Sequence, residues 1–130
     1  MSETEKITIN LNVVDLGKID LLVEEGFYTN RTDFIRSAIR SGLRENKRDI
    51  DATIITKNYL VGVTKLTIGS LERHLKIGKM MDLKTIGLVI IDGNVTPELA
   101  EQTIANITVK GRLKMSKEVR KRLESLGRIN

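Results

Sequence analysis

The sequence has no cysteine and no tryptophan, only one proline and one histidine in 130 residues, and aromatics make up just 3%. Without cysteine, neither a disulfide framework nor a thiolate metal site can form. With so few rings, the core has to be aliphatic, built from Ile, Leu and Val. No apolar run approaches the roughly 18 residues needed to cross a bilayer. The start, MSETEKITIN, carries no apolar signal segment. The chain therefore reads as soluble and cytoplasmic, without a membrane partner.

Catalytic constellations are scarce too. His74, in LERHLKI, has no Ser, Cys or second His to work with and reads as a solvent-facing helical residue. Asp82, Asp92, Glu98 and Glu101 are scattered over turns and helix starts, and Asp92-Gly93-Asn94 reads as a turn. No P-loop, GxGxxG or metal-ligand spacing occurs. The expectation is a protein that is not an enzyme and uses no cofactor or metal. A small-molecule effector is left open.

What is present is a net charge of +5, unevenly spread. Residues 1–50 carry 8 Lys/Arg against 9 Asp/Glu, and residues 51–130 carry 14 against 8. The basic excess concentrates in Lys110, Arg112, Lys114, Lys117, Arg120, Lys121, Arg122 and Arg128. Such a balance suits a polyanion such as nucleic acid. It equally suits a solvated helix face.

Along the chain, KITINLN (6–12) alternates strictly. Ile7, Ile9 and Leu11 point one way; Lys6, Thr8, Asn10 and Asn12 point the other. A period of two marks a strand with one buried face. It stands alone before a helix, with no hairpin partner nearby, so it has to pair elsewhere, most simply with another copy of itself. Leu16, Ile19, Leu22 and Val23 then recur at helical spacing over 13–25, and Gly26 suits a left-handed C-cap. In the following NRTDFIRSAIR, Asn30 suits an N-cap, and Asp33 places a negative charge on the third helical position. Phe34, Ile35, Ala38, Ile39 and Leu43 form one stripe. This helix is expected to fade around Arg44–Arg48, with 49–57 a linker.

The remainder, 58–130, holds three similar stretches, each an apolar strand-like run, a cap and a short amphipathic helix. The caps are Gly69 or Ser70, then Thr96, then Ser116, with Pro97 at the first helical position. Their spacing is irregular, so the pattern is a degenerate strand–helix repeat whose units would stack or pair.

A short alternating strand, a helix, a Gly-containing turn and a polar-capped second helix, carried by KITINLN, Leu16/Ile19/Leu22, Gly26 and Asn30–Arg40, closely resembles the ribbon–helix–helix family, the Arc/MetJ/CopG superfamily. The resemblance covers about the first 45 residues. It implies an α+β fold: an N-terminal ribbon–helix–helix forming an intertwined homodimer (1–48), then a small α/β, strand–helix repeat-like domain (58–130) for oligomerisation or for effector or partner binding. It implies a regulator, most simply a repressor, binding double-stranded DNA through Lys6, Thr8 and Asn10 at base edges and Asn30, Arg31 and Thr32 at phosphates. Lys110, Arg112, Lys114, Lys117, Arg120 and Lys121 would be auxiliary DNA contacts, compensating for the acidic module. Nickel-sensing members need several histidines and a cysteine, whereas this chain has one histidine and no cysteine. The alternative is an interaction or assembly protein, antitoxin-like partners included, that uses the module mainly to dimerise; a homodimer or a higher oligomer both fit.

Overall fold

The computed structural model describes residues 3–130. The chain divides into two compact units, residues 4–53 and residues 54–130 with Glu3. Among the described residues there are six helices and a three-stranded parallel sheet.

In the first unit, α1 (Val13–Glu24) starts where the Asn12 side chain accepts from the Val14 amide at 2.8 Å. It ends at Gly26, whose φ of +85° is the left-handed region that glycine enters without steric cost. The chain turns there through Phe27 N–H to Leu22 carbonyl (3.0 Å) and Gly26 N–H to Val23 carbonyl (3.1 Å), a Schellman-type stop. Helix α2 (Arg31–Glu45) packs on α1, and Phe34 meets Tyr28 edge to face with ring centroids 5.0 Å apart. Within this unit only Ile19 is buried. Residues 3–12 carry no strand in the single chain, and Ile7 and Ile9 are 72% and 59% exposed.

The stretch expected to be a linker is instead helical: α3 (Lys47–Lys57) follows α2 after a break at Asn46. Its sequence, KRDIDATIITK, has no clean apolar stripe and no buried residue, so periodicity could not reveal it.

The second unit follows the three strand–helix stretches: β1 (Leu60–Leu66), α4 (Ile68–Ile77), β2 (Met81–Ile91), α5 (Pro97–Thr103), β3 (Ile104–Lys114) and α6 (Lys117–Ser125). Sheet order is β1-β2-β3, parallel throughout. Thr96 and Ser116 cap α5 and α6 as expected. For α4 the cap is Thr67 rather than Gly69 or Ser70. Thr67 and Ser70 form a capping box, each side chain taking the other's amide (3.1 and 2.9 Å). One face of the sheet meets the helices in an aliphatic core of Leu66, Leu71, Leu83, Val89, Ile91, Val95, Ala100, Ile104, Ile107, Val119 and Leu123.

Counted on the strands, the repeat is more regular than its caps suggest. Gly62 pairs with Gly87 and Gly87 with Gly111, in one row across the sheet. These glycines stand 25 and 24 residues apart, and their φ values are +135°, +134° and +121°. A Cβ on Gly87 would lie 2.2 Å from the Gly62 carbonyl oxygen, and one on Gly111 would lie 2.1 Å from that of Gly87. Gly87 and Gly111 thus each admit the carbonyl of the strand before them. Gly87→Ala therefore combines a forbidden φ with a backbone clash, and is expected to cost at least ~2 kcal/mol in urea unfolding. Gly93→Ala, with open space and an ordinary φ, serves as the neutral control. Thr85 is fully buried beside this row, and its hydroxyl has no hydrogen-bond partner among the described residues. Thr85→Val removes that hydroxyl at nearly constant shape and is expected to stabilise the fold by about 1 kcal/mol in the same assay.

Candidate nucleic-acid interface

The start of α2 is the most organised polar surface of the first unit. Asn30 Oδ1 accepts from the Asp33 amide at 2.8 Å, and Asp33 Oδ2 accepts from the Thr29 amide at 2.9 Å. This reciprocal pair holds the helix entry. The amides of Arg31 and Thr32 meet no acceptor among the described residues, so they are left at the positive end of the helix dipole. An open hollow of about 370 Å³ lies there, lined by Thr29, Asn30, Thr32, Asp33, Arg36 and Arg40. Free amides at a helix start together with guanidinium groups suit a phosphate oxygen.

Arg31 itself is engaged elsewhere. Its Nε and Nη2 donate to Asp20 Oδ1 and Oδ2 of α1 at 2.7 and 2.9 Å, a two-pronged ion pair. The hydrogen bond from Arg31, reinforced by its charge, holds the Asp20 carboxyl below its ordinary 3.8, and the same contact raises the Arg31 guanidinium. Arg36 and Arg40, one turn apart on α2, line the hollow instead. The sequence shows Arg36 and Arg40 only as two cations at i, i+4 spacing. What it lacked was the tertiary pair, since Asp20 and Arg31 are eleven residues apart and on different helices.

Lys6, Thr8 and Asn10 are all exposed, as are Ile7, Ile9 and Leu11 between them. In a single chain neither side of this segment is covered.

The six basic residues of the C-terminal part divide into two groups. On β3, Val109 and Leu113 pack against the core, so the alternate residues Lys110, Arg112 and Lys114 fall on the sheet face away from the helices. Lys114 Nζ lies 4.0 Å from the Glu3 carboxylate. Lys117, Arg120 and Lys121 belong to α6 in the helix layer. Arg120 donates to the Leu113 carbonyl at 2.7 Å and so ties α6 to β3. Of the flanking arginines, Arg122 faces Glu98 and Glu101 (3.4 and 3.7 Å), and Arg128 donates to the Glu101 and Ile104 carbonyls. His74 lies on α4, partly covered, with Nδ1 3.3 Å from the Lys79 carbonyl in an exposed contact. Among the described residues no group of three or more His, Asp or Glu is placed to hold a metal ion. Among the described residues no helix is long and apolar enough to cross a membrane.

A family model described as the Ribbon-Helix-Helix transcriptional regulator family matches residues 2–120. The match runs well beyond the first 45 residues, into α6, so the strand–helix part is included in it. No curated protein and no solved structure gives a match to this chain.

Because its folded-state acidity is strengthened, Asp20 favours the folded pair above the ordinary carboxylate range, and that contribution is lost as pH falls through the lowered value. The Asp20 carboxyl, followed by NMR, is expected to titrate with a midpoint below 3.8 and to return towards 3.8 in Arg31→Ala. An unchanged midpoint in that variant would show the pair to be absent in solution.

Proposed function

Since the chain belongs to the ribbon-helix-helix transcriptional regulator family, we propose that it is a homodimeric, sequence-specific DNA-binding repressor in the cytoplasm, laying a two-stranded β-ribbon into the major groove. The observation that carries this reading is the first unit's poor burial. Fifty residues bury one side chain, Ile19, while Ile7, Ile9, Leu21, Phe27, Ile39 and Leu43 are exposed. A unit of that size does not hold its fold on so small a core.

Two copies supply what one lacks. Residues 6–12 of each chain, paired antiparallel, satisfy one another's backbone groups and turn Ile7, Ile9 and Leu11 onto the helices. Covering both helix pairs in one shared core stabilises the dimer by about 25 cal/mol for each Å² of apolar surface removed from water. The opposite face of the ribbon then presents Lys6, Thr8 and Asn10, twice. A major groove about 12 Å wide accepts such a ribbon. There lysine donates to guanine O6 or N7, asparagine bonds adenine through two contacts, and threonine meets a thymine methyl or a polar edge.

At each end of the ribbon, the α2 entry offers the amides of Arg31 and Thr32, with Asn30 at the cap and Arg36 and Arg40 around the hollow, to a backbone phosphate. Arg31 contributes to phosphate binding through its amide, its guanidinium being held by Asp20. Lys110, Arg112 and Lys114 share one sheet face and are the better candidates for auxiliary contact with flanking DNA. Lys117 and Lys121 belong to the other layer, and Arg120 is held by Leu113. This activity is binding alone, with no catalytic step and no cofactor.

Selection from a random-sequence DNA pool tests the reading. The expected product is a short motif present in two copies, lost in Thr8→Ala/Asn10→Ala, with each lost base contact costing ~1–3 kcal/mol of discrimination. Enrichment without a motif, unchanged in the double variant, would mean non-specific binding and sink the ribbon readout. Affinity for the selected site is expected to fall steeply between 50 and 200 mM salt, by about 10³-fold or more if some six phosphates are contacted. Arg36→Ala/Arg40→Ala is expected to flatten that slope without changing the motif.

A further inference from the structure

Gly62 is an anomaly within its own chain. Gly87 and Gly111 need to be glycine because the carbonyl of the preceding strand occupies the place of their Cβ, at 2.2 and 2.1 Å. Gly62 has the same backbone, with φ +135°, yet nothing lies within 4 Å of where its Cβ would be. It sits on β1, at the open edge of the sheet. Its conformation matches a ladder position whose preceding carbonyl is supplied by no described residue of the same chain.

The other edge carries the complementary half. In the repeat, each glycine sends its carbonyl to the next strand. The same backbone geometry turns the Gly111 carbonyl to the outer edge of β3. On that edge Arg128 carbonyl and Asn130 amide bracket Ile107 at 2.7 and 2.8 Å, and the Leu113 carbonyl accepts from Arg120 at 2.7 Å, a bond that an added strand shares through the carbonyl's second lone pair. The sheet has no further strand beside residues 109–114.

We propose that β1 of a second copy of this chain adds, parallel, to the outer edge of β3, with Gly62 of one copy opposite Gly111 of the other. The register continues the one inside the sheet. Residues 60–65 fall opposite 109–114, just beyond the segment that Arg128–Asn130 occupies. The Gly111 carbonyl fills the empty place at Gly62. On the helix side Leu60 lies beside Val109 and Thr64 beside Leu113. On the other side Val61 and Val63 lie beside Lys110 and Arg112, whose aliphatic stems can cover them. The one like-charge neighbour, Lys65 beside Lys114, is relieved because Lys65 already meets Asp92 at 3.4 Å.

A second copy fits better than an unrelated strand because each end of the ladder is the complement of the other. A strand without glycine at this position would put a Cβ against the Gly111 carbonyl. The β1 edge is also left unprotected, with Leu60, Val61 and Val63 exposed and no proline or bulge. Such a contact is heterologous, head to tail, and propagates. It differs in kind from the two-fold ribbon proposed for the first unit and does not depend on DNA binding.

Cysteine cross-linking of the full chain tests the register, since the sequence has no cysteine of its own. Val61 and Lys110 lie two strands apart in one chain, both in register with Ile86. That is about 9–10 Å, too far for an internal disulfide. Across the proposed contact they are direct neighbours. Under mild oxidation, Val61→Cys/Lys110→Cys is expected to give covalent trimers and longer ladders on a non-reducing gel. Either single variant, and the pair Val61→Cys/Lys114→Cys shifted by four residues, are expected to stop at dimers. If the in-register pair also stops at dimers, or ladders no further than the shifted pair, the proposal is overturned.

Discussion

Backbone amides and carbonyls along a strand edge need partners, and that requirement acts on both ends of this chain. At residues 6–12 the strand pattern is complete, but the described residues of the single chain offer no strand to pair with it, and no ladder forms. At β1 a paired strand has one edge satisfied by β2 and the other left open. Neither situation is cured by side chains. In the assemblies proposed above, another copy of the molecule supplies the partners for both, by two-fold pairing in the first case and head-to-tail continuation in the second. The division of burial follows: the second unit has a closed aliphatic core, while the first buries Ile19 alone.

The electrostatics fit this picture better than bulk charge does. The net +5 suggests a uniformly basic protein, but the first unit is close to neutral and offers its positive character locally. It does so through the helix entry at Asn30, with Arg36 and Arg40 beside it and Arg31 neutralised by Asp20. In the second unit several arginines of the basic run hold structure together, Arg120 on Leu113, Arg122 on Glu98 and Glu101, and Arg128 on two carbonyls. Counting cations overstates the surface available to a polyanion, because a guanidinium committed to a carbonyl or a carboxylate is not offered to phosphate.

The parallel sheet depends on a feature with no side chain at all. In a row of three glycines, Gly87 and Gly111 let the strands approach where a Cβ would collide. The helices then cover one sheet face with small caps and short amphipathic runs. The other face is left to Val61, Val63, Ile86, Leu88 and Ile90 beside Lys110, Arg112 and Lys114. The family model reaches residue 120 and so includes this sheet. That extent is consistent with the strand–helix part being integral to these regulators rather than an appendage.

Elements set by interactions within a few residues were legible in the sequence. The caps at Asn30, Thr96 and Ser116, the stop at Gly26, the turn at Asp92–Asn94 and the three strand–helix stretches all rest on side chains meeting backbone three or four positions away, or on a period of two or 3.6. Even there Thr67 was missed, because Thr67, Gly69 and Ser70 are all plausible caps and only the folded helix shows the box. Helix α3 was missed because it buries nothing and so leaves no apolar stripe. The glycine row, the Arg31–Asp20 pair and the division of the cations between two layers were decided by the tertiary structure alone. The first two join residues eleven or more positions apart, and in all three strand register and helix packing, not local propensity, determine which residues meet.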